Sequence, residues 1–170
     1  MPEPTFGTLR TTVSGSLGTL TLARPERLNA LSRRTLIELA EAARWFDAQR
    51  DVRVVVVQGE GRSFSAGFDL DDFSTPDPEW SVRDTADLGR LMAEAVTGMT
   101  AITIAAIQGH CVGGGLVLAA SCDLRYAADT AVFSIPEVDL GIPLAWGGIP
   151  RLVREIGPAA TKELVLTCRR

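Results

Sequence analysis

Two glycine-rich turns offer the backbone arrangement in this sequence that is best suited to chemistry. They cover residues 64–69 (FSAGFD) and residues 109–115 (GHCVGGG), and each follows a segment that predicts a buried strand. Neither is a phosphate loop, because no Lys-Ser/Thr pair follows the last glycine, and neither has the GxGxxG spacing of a dinucleotide site. Glycine instead lets a ligand approach the backbone closely, because it has no side chain.

The triple glycine of the second turn, residues 113–115, directly precedes an apolar segment, residues 116–120, that predicts a short buried helix. The first N–H groups of a helix have no partner within it and lie at its positive dipole end, so they favour an anionic oxygen. A second N–H from the first turn would complete an oxyanion hole, in which a single donor is typically worth about 3 kcal/mol. A triple glycine also permits tight helix packing, and the spacing alone leaves both interpretations open.

The elements that must position these turns begin with a predicted β-hairpin. Residues 9–13 and 17–23 are rich in strand-forming residues and flank a Ser-Gly-Ser turn, and Pro25 ends the second strand. Ser32 is a suitable N-cap for a helix that reaches about residue 49. Apolar side chains recur along that helix at helical spacing: Leu36, Leu39, Ala40, Ala43 and Phe46.

Strands and helices alternate through the rest of the chain. Residues 52–58 (VRVVVVQ) are so continuously apolar that they predict a strand covered on both faces, hence a parallel or spiral sheet. Residues 74–79 (STPDPE) disfavour regular structure, and we expect a lid or linker there. The remaining predicted elements are a helix over 81–99, a strand over 103–107, strands near 123–126 and 131–135, and helices around 149–155 and 158–166.

Composition narrows the classes of function. The chain has 170 residues, of which 46% are hydrophobic and 22% charged, as in a soluble domain with one core. A net charge of -4 without a run of like charges argues against nucleic acid as a partner. We expect no membrane association and a cytoplasmic location, because no apolar stretch approaches the roughly 20 residues of a bilayer span and no signal-peptide pattern opens the chain.

The cysteines indicate neither a disulfide framework nor a metal site. Cys111, Cys122 and Cys168 are odd in number, form no CxxC pair and have apolar neighbours. We therefore expect buried free thiols and no metal.

Short motifs follow one another in a fixed order across almost the whole chain. They are Arg24-Pro25, residues 28–31 (LNAL), residues 64–70 (FSAGFDL), residues 109–115, Cys122-Asp123, Pro136-Glu137 and residues 147–152 (GGIPRL). Each alone is a weak signal, but together their order and spacing resemble the crotonase superfamily, the enoyl-CoA hydratases and isomerases. The resemblance implies an α/β fold, a crotonase-like spiral of ββα units.

The resemblance also implies a site for an acyl-CoA. The backbone amides of Phe68 and Gly114 would hold the thioester oxygen and stabilise an enolate, which makes the α-carbon proton removable by a carboxylate. Ala66, Asp69 and Leu70 fall where the family contacts the pantetheine and adenine parts of CoA, mostly through backbone. No cofactor is implied beyond the coenzyme A of the substrate.

One departure from the family bears on the reaction. Family hydratases use two glutamates, and this sequence has Val117 at the first position and Glu137 at the second. Valine neither accepts a proton nor orients water, whereas moving a double bond needs only one acid/base group. The residues thus favour isomerisation over hydration, with Glu137 as the acid/base. The alternatives are a non-catalytic acyl-CoA-binding protein of the same fold and a subunit completed by another chain.

Other residues near the motifs have more than one interpretation. Trp146 is bulkier than the family's usual residue and either caps the acyl pocket or packs in the core, while Ala145 replaces a glycine at little cost. Asp139 is a second acid if residues 137–139 are extended, or it caps a turn. For His110 and Cys111 we expect structural roles, since no nucleophile with an orienting partner accompanies them.

The resemblance spans about the first two thirds of a family domain. We interpret residues 1–170 as a single crotonase-like core without the C-terminal helices that help to build the family trimer. The resemblance implies a homo-oligomer, a trimer or dimer of trimers, if that part is present. A core without it is expected to expose apolar surface and to associate or lose stability.

Overall fold

The computed structural model describes residues 4–74 and 80–170. Their strands are β1 (Leu9–Ser14), β2 (Leu17–Leu22), β3 (Val54–Gly59), β4 (Ile102–Ile107), β5 (His110–Val112), β6 (Leu124–Ala127) and β7 (Val132–Ser134). Their α-helices are α1 (Arg33–Asp47), α2 (Leu70–Ser74), α3 (Val82–Thr97), α4 (Gly114–Ser121) and α5 (Gly148–Thr167). None of the helices in these two ranges is long and apolar enough to cross a membrane.

The main sheet brings the two glycine turns to one edge. Its strand order is β1, β2, β3, β4, β6. The first two strands form the predicted antiparallel hairpin, and β3, β4 and β6 join in parallel, which confirms the parallel sheet. Parallel strands end at the same edge, so the turns after β3 and β4 are neighbours. β5 and β7 form a separate parallel pair, and β5 begins shortly after the end of β4.

The sheet is fully covered on one face only. The predicted apolar stripe of α1 is buried, and a Cβ placed on Gly18 would lie 2.6 Å from Cε1 of Phe46 and 3.1 Å from Cγ2 of Val55. Val55 and Val57 are buried, whereas Val54 and Val56 are half-buried. The prediction that this strand is covered on both faces is therefore wrong for the described residues, because alternate side chains of a strand point to opposite faces.

Caps explain where the long helices begin. Ser32 accepts a hydrogen bond from the Thr35 N–H at 3.2 Å, as predicted for an N-cap. Ser81 and Asp84 form a reciprocal capping box at the start of α3. The two predicted C-terminal helices are also confirmed, because α5 is broken at Gly157, whose φ of 78° and ψ of 164° are not helical.

Among the strands and α-helices, two short elements were not predicted from the sequence. α2 has only five residues, and β5 lies inside the second glycine turn, where it pairs with β7. Neither is long enough to show a periodic pattern. Of the lid or linker predicted over residues 74–79, residues 75–79 lie outside the described residues, and residue 74 is the last residue of α2.

Candidate active site

The first glycine turn is held by the buried side chain of Asn29. Its Oδ1 accepts from the Arg24 N–H at 3.0 Å. Its Nδ2 donates to the carbonyl of Glu60 at 2.9 Å and to that of Ser63 at 2.8 Å. The amide thus ties Arg24 to the segment directly before the turn, which fixes where the following residues lie.

Ser65 joins the first turn to the second. Its hydroxyl donates to the Asn29 carbonyl at 2.9 Å and accepts from the Gly67 N–H at 3.2 Å. Its backbone N–H donates to the His110 carbonyl at 2.9 Å, and its carbonyl accepts from Val112 at 3.0 Å. Sequence reasoning included Asn29 and Ser65 in the family motifs but gave them no role. The sequence signal that could have identified them is a polar residue placed within an otherwise apolar stretch.

The backbone of the first turn leaves one amide without an internal partner. Leu31 donates to the Gly67 carbonyl at 2.8 Å and accepts from the Asp69 N–H at 3.1 Å, a parallel bridge to Phe68. In such a bridge the amide of the central residue points to the other side. The Phe68 N–H finds no acceptor within residues 4–74 and 80–170.

The second turn ends in the N-terminus of α4. Gly113 caps the helix with a φ of 48° and a ψ of -115°, a conformation that favours glycine. Gly114 is the first helical residue, so its N–H has no partner inside the helix. A Cβ placed on Gly67 would lie 2.8 Å from the Val112 carbonyl oxygen and 3.6 Å from the Gly114 nitrogen. The turn that carries Phe68 is therefore packed directly against the start of α4.

The carboxylate of Glu137 lies beside the same turn. A Cβ placed on Gly113 would lie 2.2 Å from its Oε1. Its Oε2 is buried and has no hydrogen-bond partner among the described residues. Burial raises the pKa of Glu137, and the hydrogen bond from its own backbone N–H offsets only part of this effect. A carboxyl group with a raised pKa is suited to accept and return a proton.

Two neighbouring residues do not add a second acid. Residues 137–140 form a turn, in which Leu140 donates to the Glu137 carbonyl at 3.0 Å, so the extended segment that would align Asp139 with Glu137 is absent. Asp139 is exposed. Val117 is fully buried, and its Cγ2 lies 2.7 Å from a Cβ placed on Gly148.

Trp146 lies against both glycine turns. A Cβ placed on Gly114 would lie 2.3 Å from its Cζ3, and its ring meets the ring of Phe68 edge to face at a centroid distance of 5.8 Å. The side chain is half-buried, while the preceding Ala145 is exposed. The sequence allowed two roles for Trp146, capping the acyl pocket or packing in the core. The ring packs against the glycine turns, but it is only half-buried, so core packing alone does not account for its position.

The three residues expected to contact CoA differ in accessibility. Leu70 is 55% exposed and Ala66 is half-buried, although its N–H already donates to the Leu28 carbonyl. Asp69 is 4% exposed and forms ion pairs with Arg24 at 2.9 Å and Arg27 at 3.2 Å. Burial alone would raise the pKa of Asp69, but the hydrogen bond from Arg24 and the other contacts outweigh it, so the pKa is lowered. The side chain of Asp69 therefore stabilises the first turn through its ion pairs with the two arginines.

The histidine and the cysteines differ in exposure. Cys111 and Cys122 are free and buried as expected, and burial raises the pKa of both thiols, which disfavours the reactive thiolate, whereas Cys168 is free but only half-buried. His110 is exposed on β5. Within the described parts of the chain, no group of three or more His, Cys, Asp or Glu side chains could hold a metal ion.

Comparison with known proteins identifies the family. The family model for enoyl-CoA hydratase/isomerase matches residues 12–170. The chain belongs to the enoyl-CoA hydratase/isomerase family. This result confirms the crotonase superfamily and its α/β fold, both of which were expected from the motifs.

Individual members of the enoyl-CoA hydratase/isomerase family are similar over nearly all of the chain. The peroxisomal Delta(3,5)-Delta(2,4)-dienoyl-CoA isomerase of Arabidopsis thaliana is 37% identical over 98% of this chain and 64% of its own length. A probable enoyl-CoA hydratase of Mycobacterium bovis is 36% identical over 97% of this chain and 63% of its own length. The chain thus spans less than two thirds of both relatives.

A solved structure of the family is also similar. A putative enoyl-CoA hydratase from Thermobifida fusca in complex with acetoacetyl-CoA superposes with a TM-score of 0.86 at 32% identity, covering 95% of this chain and 67% of that one. Both a hydratase and an isomerase are therefore among the similar proteins, and the residues of the site must discriminate between the two reactions.

Proposed function

We propose that this protein is an enzyme that isomerises the double bond of an acyl-CoA thioester. The Phe68 and Gly114 amides hold the thioester oxygen, and Glu137 removes a proton from the carbon next to the carbonyl. The electron pair moves toward the oxygen and forms an enolate that extends into the adjacent double bond. Glu137 then returns the proton to the far end of that double bond, so atoms and charge balance.

The observation that carries this proposal is that three groups lie around the start of α4. The Phe68 amide, which has no acceptor among the described residues, follows Gly67, which contacts that start, and the Glu137 carboxylate lies against Gly113 immediately before it. Preorganised amides lower the energy of an enolate, and an adjacent carboxyl group of raised pKa takes up the proton.

The choice of isomerisation over hydration rests on the two positions that could have supplied a second acid/base group. Hydration needs a water molecule held and activated beside the double bond. Val117 is apolar and buried against α5, and Asp139 is exposed in a turn. Glu137 is left as the single acid/base group of the proposed mechanism.

Binding of the CoA portion is proposed to use the surface where the first turn meets α2. Leu70, the first residue of α2, is exposed there and Ala66 is half-buried, and the Thermobifida fusca neighbour was crystallised with acetoacetyl-CoA. The proposed reaction needs no cofactor beyond the coenzyme A of the substrate. We also propose that the working form is a homo-oligomer.

Product analysis tests the reaction class. The purified protein is incubated separately with a 3-enoyl-CoA and a 2-enoyl-CoA, and the products are separated by chromatography. We expect interconversion of the two enoyl-CoAs without 3-hydroxyacyl-CoA. Glu137→Gln should abolish this activity, whereas Asp139→Asn, which changes an exposed carboxylate two residues away, should retain it.

Other outcomes distinguish the alternatives. Rapid formation of 3-hydroxyacyl-CoA would establish hydration and contradict isomerisation as the main reaction. Saturable acyl-CoA binding without any product would favour the non-catalytic binding protein. Full activity of Glu137→Gln would remove this residue from the mechanism.

A further inference from the structure

The indole ring of Trp146 bridges two helices beside the proposed catalytic groups. Its benzene edge faces α4, where a Cβ placed on Gly114 would lie 2.3 Å from Cζ3. Its pyrrole ring lies against α3, where a Cβ placed on Gly89 would lie 2.0 Å from Cε2 and 2.1 Å from Nε1. The ring of Phe68 meets it at an interplanar angle of 88°. The indole therefore occupies the space between both helices and the first turn.

The chain accommodates this ring at two unfavourable positions. Trp146 has a φ of 59°, in the left-handed region that a bulky residue rarely adopts. Gly89 lies inside α3, where glycine is typically about 1 kcal/mol less favourable than alanine. The ring explains the glycine, since any side chain at position 89 would overlap it. The placement of the indole is thus built into two separate elements.

The ring and the carboxylate flank consecutive residues of one turn. A Cβ placed on Gly113 would point at Oε1 of Glu137, and a Cβ placed on Gly114 would point at the indole. A thioester oxygen bound at the Gly114 amide would therefore have its α-carbon near the carboxylate and its acyl chain beside the ring. The indole is rigid and is held on three sides, so a long chain has to displace it.

We propose that Trp146 limits the size of the acyl group, so that the preferred substrates are CoA thioesters of short acyl chains. This inference rests on the proposed function, because it assumes that the acyl-CoA binds between the two turns. Trp146 carries out no proton transfer in this proposal. It acts by contact with the acyl chain, which makes it a specificity-determining residue.

Binding of saturated acyl-CoAs tests this proposal without requiring turnover. Calorimetry with butyryl-, octanoyl- and decanoyl-CoA should give the wild type at least about a tenfold preference for butyryl-CoA over decanoyl-CoA, because even one methylene is worth about tenfold or more in such a pocket. Trp146→Ala should lose this preference by binding decanoyl-CoA at least about tenfold more tightly. Trp146→Phe, which keeps an aromatic ring, should be intermediate and guards against misfolding of the alanine variant.

A second tryptophan serves as a matched control. Trp80 is half-buried and lines a cavity of about 510 Å³ with Ser32 and Ile37, on the α1 side. Trp80→Ala should keep the wild-type preference. Equal chain-length profiles for the wild type, Trp146→Phe and a folded Trp146→Ala would overturn the inference while acyl-CoA binding stands. Failure of every acyl-CoA to bind the wild type would overturn the proposed function as well.

Discussion

Glu137 shows at the residue scale how local burial prepares a group for chemistry. One of its carboxylate oxygens is buried without a hydrogen-bond partner among the described residues, and burial raises the pKa of the side chain. The folded protein therefore holds this proton more tightly than the unfolded chain does. The contribution of protonated Glu137 to the free energy of unfolding is fully present below the unfolded pKa and is lost as the pH rises through the folded pKa.

This linkage predicts a stabilising substitution. Glu137→Gln removes the charge that burial disfavours, so its melting temperature should exceed that of the wild type at neutral pH. The difference should shrink as the pH falls from the raised folded pKa toward 4.5, the ordinary value for the glutamate pKa, because both states are protonated below it. Thermal melts of both proteins across this pH range measure the effect. Asp139→Asn, at an exposed position, should show no such dependence, and a pH-independent difference for Glu137→Gln would contradict the assignment.

The position of Glu137 was predictable only from the resemblance to a family. A Pro-Glu pair in isolation is typical of an exposed turn, and nothing in its local pattern indicates that the carboxylate would lie against Gly113. The same limitation explains the interpretation of Asp139. Whether residues 137–139 are extended or turned depends on hydrogen bonds such as that from Leu140 to Glu137, which residue types alone do not determine.

At the level of secondary-structure elements, the site depends on how the two glycine turns are positioned relative to each other. Ser65 makes this connection with its hydroxyl, which bonds to Asn29 and Gly67, and with its backbone, which pairs with β5. Gly67 in turn precedes the Phe68 amide. A change at Ser65 is therefore transmitted to the proposed oxygen-binding amide without direct contact with substrate, so Ser65 is a positioning residue.

Replacement of Ser65 tests this role. Ser65→Ala should lower kcat on the order of tenfold, because a displaced amide stabilises the enolate less well. KM and acyl-CoA affinity should change little, since CoA binding uses other contacts. Ser63→Ala provides the control, because the Ser63 hydroxyl is buried two residues away and has no partner among the described residues. A parallel loss of affinity and kcat in Ser65→Ala would indicate general disruption instead.

The longer elements were predictable because their signals are local. Helix α1 follows from its apolar spacing and from Ser32 as a cap, and the hairpin follows from strand-forming residues around Gly15. The short elements α2 and β5 depend on partners distant in sequence, such as β7 for β5. Coverage of the strand over residues 52–58 was overpredicted, because composition does not show which face the helices occupy.

At the scale of the whole molecule, α5 exposes a second apolar face. Ile149, Val153 and Ile156 are 42%, 37% and 44% exposed and follow helical spacing, while Leu152, at the border of this stripe, is 3% exposed. Val138 and Leu140, in the turn after Glu137, are also exposed. Apolar surface of this kind is typical of contacts with another chain.

This surface predicts self-association. Sedimentation equilibrium should show a mass that rises with concentration, because burial of apolar side chains at a contact releases about 25 cal/mol per Å². Val153→Asp should shift the protein toward the monomer. Val13→Asp, at an equally exposed apolar position on β1, should leave the association unchanged. A monomer at every concentration would contradict this prediction and the proposed homo-oligomer.

Exchange of the α-proton shows whether the two amides and the carboxylate form a working site. The protein is incubated with a saturated acyl-CoA in deuterated water, and the signal of the protons next to the thioester carbonyl is followed by NMR. If Phe68, Gly114 and Glu137 act together, the wild type will catalyse exchange and Glu137→Gln will not. Exchange that persists in Glu137→Gln, or its absence in a wild type that binds the thioester, would contradict the proposed mechanism.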